Sequence, residues 1–342
     1  MMLGATGLRT HIWNNNLKSV LLLAGFPVLL MLLALAGSVV LVAFTGDGGG
    51  GYASKSGGYS YSEFDAVMAN WPQMALWSVI IAIIWFIIAW FSHQAMIDAA
   101  TGARKVTREE QPELYNLLEN LCISRGITMP ALRIIDTPQM NAYASGLTEK
   151  QYSVTVTSGL MQRLDRDELE AVLAHELTHI LNRDVRLLVI SVIFVGIFSF
   201  VAQIGVRAMF HGAVARSGRS RRGGGGNAAI MMLIAVAIVA LAWFLAIAIR
   251  FALSRKREYM ADAGAVELTR NPDAMIGALQ KISGHAVMED APSEIREMMI
   301  ENPKSGFSGI FITHPPIEKR IEALEKYAGG LRSPGYSAVP TV

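Results

Sequence analysis

Two short strings in this chain carry the residue types that hydrolytic metal chemistry needs. The first is His175-Glu176-Leu177-Thr178-His179. Residues four apart share one face of a helix, so His175 and His179 can offer two imidazole nitrogens to a single metal ion. Glu176 lies a further step of about 100° round the helix, where its carboxylate can take a proton from an attacking water. The second string is Glu258-Tyr259-Met260-Ala261-Asp262, whose two acids again stand at i and i+4. A catalytic zinc takes three protein ligands and keeps one position for water. No third histidine follows at the H-x-x-G-x-x-H spacing, which leaves a carboxylate on a later helix. Glu258 is the candidate third ligand, and Asp262 the candidate acceptor for the free N–H of a ligating imidazole. The bland alternatives are two histidines on a polar helix face and an acidic pair on a charged helix. The first fits badly, because the histidines sit inside an apolar helix.

The elements that must position these groups follow from periodicity. Asp165 with Glu168 three residues on makes a capping box that opens the motif helix, with Leu169, Val172, Leu173 and Leu177 as its buried stripe. Upstream, residues 109–125 have helical spacing, with Leu114, Leu117, Leu118 and Leu121 on one side. Residues 133–136, 141–145 and 153–157 alternate or are β-branched, which suggests a small meander of short strands. Beyond Glu258 the chain reads as helix through Leu268, and Asn271-Pro272 breaks it.

Composition says where such a domain works. Of 342 residues 52% are hydrophobic and only 17% charged, which excludes a disordered chain and argues against a wholly soluble enzyme. A net charge of +2 gives no case for nucleic-acid binding, and the single cysteine, Cys122, forbids an internal disulfide. Four long runs hold no charge: residues 19–44, 74–91, 187–206 and 228–249. Each approaches or exceeds the roughly 18–20 residues of a membrane-spanning helix. The first is too long for a signal peptide's apolar core and reads as a retained anchor, with Pro27 inside it. Outside the four runs the charged share is close to the about 25% of a soluble domain. The organisation is therefore a membrane region at 1–91, a first catalytic segment at 92–186, a membrane hairpin at 187–249 and a second catalytic segment at 250–342. Gly-rich residues 46–58 and Arg/Gly-rich residues 207–227 read as flexible loops.

The two ligand strings stand at equal offsets from the hairpin. His179 lies eight residues before Leu187, and Glu258 eight after Arg250. Straight helices would hold both about 12 Å above the membrane at ~1.5 Å per residue, on the same side of it. The count of Lys and Arg favours the cytoplasm for that side, with Arg9, Lys18, Arg104, Lys105, Arg108, Arg183, Arg186, Arg250, Arg255, Lys256 and Arg257 near the spans. Arg207, Arg216, Arg219, Arg221 and Arg222 run against that rule, so full crossing of 187–206 and 228–249 stays open.

The ligand strings split by a hydrophobic hairpin resemble the HtpX family of membrane-bound zinc metallopeptidases, bacterial relatives of the CAAX prenyl proteases. Asn141-Ala142-Tyr143-Ala144-Ser145-Gly146 is similar to that family's Asn-Ala-Phe-Ala-x-Gly strand, and Thr313-His314-Pro315-Pro316 with Arg320-Ile321 to its Ser/Thr-His-Pro motif. The resemblance implies an α+β zincin (gluzincin-like) domain, mostly helical with a small β-sheet, plus about four transmembrane helices. It also implies one zinc ion per subunit, held by His175, His179 and Glu258, with Glu176 as catalytic base. The implied setting is the inner membrane, multi-pass, with a cytoplasmic catalytic domain that cleaves misfolded or damaged membrane proteins. Asn141 is a candidate to hold a substrate carbonyl, or else closes a turn after Pro138. His314 is a candidate resting-state ligand or oxyanion donor, or else caps a helix at 317–327. His11, His93, His211 and His285 lack a partner at metal spacing and read as interfacial or surface residues.

Three rivals remain on the residues alone. A CAAX-type prenyl protease shares the chemistry but usually has more spans. A transporter would carry ionisable groups within its spans, and these runs have none. A non-catalytic metal-binding scaffold would have no need of Glu176, which is present.

Overall fold

The computed structural model describes residues 17, 27–42, 63–190, 193, 233–234, 236–237, 239, 256–286, 288, 293–296, 298–300 and 314–332. The chain divides into two compact units. One comprises Met1–Ser19, Trp90–Val192 and Phe251–Val342, the other Val20–Ala89 and Ile193–Arg250.

The second unit holds the apolar helices. Helix α1, Pro27–Val42, lies within the expected first span. The described part is about 24 Å long, short of the ~30 Å hydrocarbon core. Helix α2, Glu63–Thr101, contains the expected second span and is long and apolar enough to cross a membrane. It is the one such helix among the described residues. Val39 and Val42 of α1 close on Val67 of α2, and the Trp71 Nε1–H donates to the Met31 carbonyl at 3.2 Å. Of the expected third and fourth spans, residues 187–190, 193, 233–234, 236–237 and 239 are helical. Their remainder, and the loops 46–58 and 207–227, lie outside the described residues.

The first unit is a mixed sheet with helices. Its strands are β1, Arg104–Lys105, β2, Ala131–Ile135, β3, Ala142–Ser145, and β4, Ser153–Thr157. The order β1-β2-β4-β3 overturns the expected meander: β4 runs parallel to β2 and takes the interior position, while β3 pairs with it antiparallel at the edge. The reason is in β4 itself. Ser-Val-Thr-Val-Thr is buried at all five positions, and a strand covered on both faces belongs inside a sheet. Helix α3, Pro112–Arg125, buries Leu114, Leu117, Leu118 and Leu121 as its spacing requires and stops at Gly126 in the left-handed region.

The last turns of α2 fix the edge strand through polar contacts. Gln94 Oε1 accepts from Ser145 Oγ at 2.7 Å and from Ser153 Oγ at 3.0 Å, and the Gln94 amide donates to Asp98 at 2.8 Å. Asp98 in turn pairs with Arg133 of β2. One side-chain amide thus ties both strands of the β3–β4 pair to one helix. His93, expected near the surface, is 4% exposed, with Nδ1 3.1 Å from the Trp90 carbonyl.

A short helix, α4, Ser158–Arg163, leads into the motif helix α5, Arg166–Leu181. The capping box forms as read: Asp165 accepts from the Glu168 N–H, and Glu168 from the Asp165 N–H, each at 2.9 Å. The expected stripe is too narrow, however. Every α5 residue from Glu168 to Ile180 except Glu170 is buried, because β3, β4, α3 and two later helices surround it. Those later helices are α6, Lys256–Thr269, and α7, Pro272–Ile282, with Asn271 capping α7 through the Ala274 N–H. The short α8, Ser293–Arg296, and α9, Ile317–Ala328, follow.

Helix α6 approaches α5 closely at Gly264. A Cβ there would lie 2.4 Å from Thr178 Cγ2 and 2.7 Å from Thr178 Oγ1. Thr178 has little freedom to move aside, since its hydroxyl bonds to the Ala174 carbonyl at 2.8 Å. This contact sets the spacing between the helix bearing His175 and His179 and the helix bearing Glu258. Gly264→Ala is expected to cost about 1–3 kcal/mol by overpacking. Thermal unfolding checks the cost, and a parallel fall in bound metal checks that the two helices have been pushed apart.

Candidate metal centre

Helices α5 and α6 bring three acceptor side chains to one point. His175 Nε2 and His179 Nε2 are 3.1 Å apart, and Glu258 lies 3.8 Å from each of them, through Oε2 and Oε1 respectively. All three residues are buried, and together they form a group able to hold a metal ion. At metal–donor distances of ~2.0–2.1 Å, tetrahedral ligands stand roughly 3.3 Å apart. The observed spacings bracket that figure, so the donor set fits zinc.

The outer faces of the two rings explain their orientation. His175 Nδ1 is 3.0 Å from Asp262 Oδ1, the partner expected from the i, i+4 spacing. His179 Nδ1 is 3.1 Å from Asp184 Oδ2. Each carboxylate draws the ring proton to Nδ1 and turns the Nε2 lone pair inward. Inward lone pairs on two nitrogens and a carboxylate repel one another, and a cation between them relieves that repulsion.

Asp184 escapes sequence periodicity for a concrete reason. Helix α5 ends at Leu181, and Arg183 then adopts φ 60°, a left-handed conformation rare for a side chain of that kind. The turn there delivers Asp184 to His179, five residues away. Helix resumes at residues 184–190. The same break shows that α5 does not run straight toward the third span, contrary to the equal-offset reading.

Arg320 on α9 is the other residue whose role spacing alone did not expose. It is fully buried and bonds Asp262 twice, Nε to Oδ2 at 2.9 Å and Nη2 to Oδ1 at 2.6 Å. Its Nη1 donates to the Ile300 carbonyl at 3.0 Å and stands 3.8 Å from Glu258 Oε2. One guanidinium therefore balances two buried carboxylates. The available signal was electrostatic: a buried Asp262 and a buried Glu258 need a counter-cation.

Protonation states follow from these contacts. Burial raises the Glu258 carboxyl, but His314, His179 and Arg320 outweigh it and hold it well below the ordinary carboxylate range. Burial likewise opposes, and Arg320 and His175 reverse, the shift of Asp262, which is lowered. Burial drives His175 down to about 4, leaving its ring neutral near pH 7. For His179 burial is outweighed by Asp184 and Glu258, and the ring is raised. Burial pushes Glu176 up to about 7, in the range of a group that both takes and gives a proton.

Two candidates from the C-terminal and strand motifs divide. His314 is buried with Nδ1 3.1 Å from Glu258 Oε2, so it belongs to the site. Asn141 is buried, and its side chain bonds the chain's own backbone. Its Nδ2 donates to the Ala286 carbonyl at 2.9 Å, and its Oδ1 accepts from the Ile300 N–H at 3.1 Å and the Ala142 N–H at 3.0 Å. These bonds clamp residues 286 and 300 against the start of β3.

Comparison with known proteins places these residues in company. The model of peptidase family M48 matches residues 108–328, which include every group described above. A protein named "Protease HtpX homolog" from Bacteroides fragilis is 43% identical over 332 residues, 94% of this chain and 99% of its own length. Another of that name from Ligilactobacillus salivarius is 36% identical over 317 residues, covering 92% of this chain and 98% of that one. A solved structure, Ste24p of S. mikatae, is 17% identical and covers 92% of this chain and 66% of its own, with a TM-score of 0.44.

The partners of the two imidazoles make separable predictions. Asp184→Asn is expected to weaken zinc binding by about 10–100-fold with the fold intact, read by competition with a chromogenic chelator. Arg320→Leu leaves two buried carboxylates without their cation and is expected to cost about 3–5 kcal/mol, read as a loss of thermal stability that excess zinc only partly restores.

Proposed function

This chain belongs to peptidase family M48 and is a membrane metalloprotease; from that premise we propose that it is a zinc endopeptidase acting on misfolded or damaged membrane proteins at the cytoplasmic face. The observation that carries the zinc reading is the convergence of His175 Nε2, His179 Nε2 and the Glu258 carboxylate, with Glu176 lining the same small cavity.

Zinc, when bound, supplies a Lewis acid that polarises a scissile carbonyl and lowers the pKa of water. Everything else is done by the chain. Glu176 takes the proton of the attacking water and gives it to the departing amine nitrogen. Asp262 and Asp184 keep the two imidazoles turned inward, and Arg320 steadies Asp262. His314, against Glu258, is assigned the donor to the oxygen that gains negative charge. An extended polypeptide substrate would add to the outer edge of β3, the last strand of the sheet.

For topology we infer an inner-membrane protein with about four crossings, supported by α2 and by the four uncharged runs. The distribution of Lys and Arg supports a cytoplasmic catalytic unit.

Glu176→Gln in the purified, detergent-solubilised protein tests the chemistry. Zinc is expected to stay bound at one ion per chain while cleavage of β-casein falls by at least about 10²-fold. Casein cleavage that survives with zinc bound would sink the mechanism. Topology has its own test, in a Cys122→Ala background with single cysteines placed between residues 207 and 227. They are expected to react with a membrane-impermeant maleimide added to intact cells, and protection there would mean that the hairpin does not traverse.

A further inference from the structure

The outer edge of β3 is already taken. In the β3–β4 pair the Asn141 carbonyl accepts from the Thr157 N–H at 3.0 Å, so Asn141 turns its backbone groups toward β4. Alternation along a strand then turns those of Ala142 and Ala144 outward, toward the metal centre. Ala144 lines the cavity that contains Glu176. The Ala142 carbonyl accepts from the Ile300 N–H at 3.0 Å, a bond of the kind an added strand makes. Ile300 therefore occupies the main-chain position on β3 that an incoming polypeptide would use.

The segment is held from both sides. The Ile300 N–H is shared between the Ala142 carbonyl and Asn141 Oδ1 at 3.1 Å, and the Ile300 carbonyl is taken by Arg320 Nη1 at 3.0 Å. Met299 is tethered through Sδ, 3.4 Å from Asn141 Nδ2. Met298, Met299 and Ile300 are each buried and line the cavity that contains Glu176, His179 and Glu258. That cavity measures about 10 Å³. Such a space holds at most a single water, whereas ligand sites run to roughly 300–1,000 Å³. No peptide enters the site in this conformation.

We propose that residues 298–300 form an internal pseudo-substrate strap, which fills the substrate edge of β3 and must leave it before a polypeptide can bind. The proposal rests on the protease reading for its consequence and on the Ile300–Ala142 pairing for its geometry. Asn141 and Arg320 act on it as holding residues. Arg320 also bonds Asp262, so the strap and the imidazole of His175 share one guanidinium. Substrate entry breaks no covalent bond: it exchanges the Ile300 N–H for a substrate N–H on the same carbonyl.

A reversible lock tests this in the full-length, zinc-loaded protein. A single N–H···O=C bond holds the Cα atoms of its two residues roughly 5–6 Å apart, within reach of a disulfide. The double variant Ala142→Cys/Ile300→Cys, in a Cys122→Ala background, is oxidised with diamide and then reduced with dithiothreitol. Cleavage of β-casein is expected to drop at least about tenfold on oxidation and to return on reduction, with zinc content unchanged throughout. Equal cleavage by the oxidised and reduced forms overturns the strap. Binding is measured too, as capture of fluorescein-labelled β-casein with Glu176→Gln added. Locked protein that still captures casein overturns the strap even if no form cleaves it, while capture without cleavage by any Glu176-bearing form counts against the protease reading alone. Where mass analysis finds no disulfide, Ile300→Pro decides: it deletes the N–H, and KM for casein is expected to fall by roughly tenfold. An unchanged KM in zinc-loaded Ile300→Pro refutes the strap.

Discussion

Three buried acceptors facing one point is an arrangement that no apolar core would choose. His175 Nε2, His179 Nε2 and the Glu258 carboxylate have exchanged water for a space of low dielectric, and their lone pairs repel. Only positive charge at their centre makes the arrangement favourable. Much of the first unit follows from keeping the three in place until that charge arrives. Asp262 and Asp184 fix the rings, Arg320 offsets the charge of Asp262 and Glu258, and Gly264 lets α6 lie against α5 closely enough for all three to meet. A metal centre here is thus a property of two helices, an intervening turn and an arginine from a third helix, as well as of its ligands.

The parts legible in the sequence are those that obey a single period. The i, i+4 pairs, the capping box at Asp165, the leucine face of α3 and the Asn271-Pro272 start of α7 all lie within one element and follow its geometry. What escaped depends on where elements meet. Asp184 reaches His179 through a left-handed residue that carries no glycine to mark it. Arg320 meets Asp262 across 58 residues of chain, and only the need to neutralise a buried acid points to it. The sheet order escaped for the same reason, since β4 is placed between β2 and β3 by its burial on both faces rather than by its neighbours in sequence.

Helix α2 illustrates how a membrane segment also serves a polar task. Its apolar length suits a bilayer, yet its final turns carry Gln94, Asp98 and Thr101, which bond to Ser145, Ser153, Arg133 and Tyr143. A helix of that length, about 58 Å, exceeds the hydrocarbon core by several turns, and those turns stiffen the strand from which Ala142 and Ala144 face the metal centre. The sheet edge on which a substrate would lie is therefore braced by the same helix that anchors the chain.

The strap at residues 298–300 is consistent with that bracing. An exposed strand edge beside a nucleophilic metal centre invites any unfolded segment to pair with it, including the chain's own loops. Covering the edge with Ile300 satisfies the Ala142 carbonyl, and placing two methionines over the cavity excludes water without a rigid plug, since thioether side chains repack readily. The holding bonds are few and neutral apart from that of Arg320, so a polypeptide offering a run of backbone donors and acceptors along β3 can outcompete them, whereas a folded protein, which keeps its backbone paired, cannot. Under the proposed strap, a preference for loosely folded substrates would follow from competition for one strand edge, with no recognition of a particular side chain.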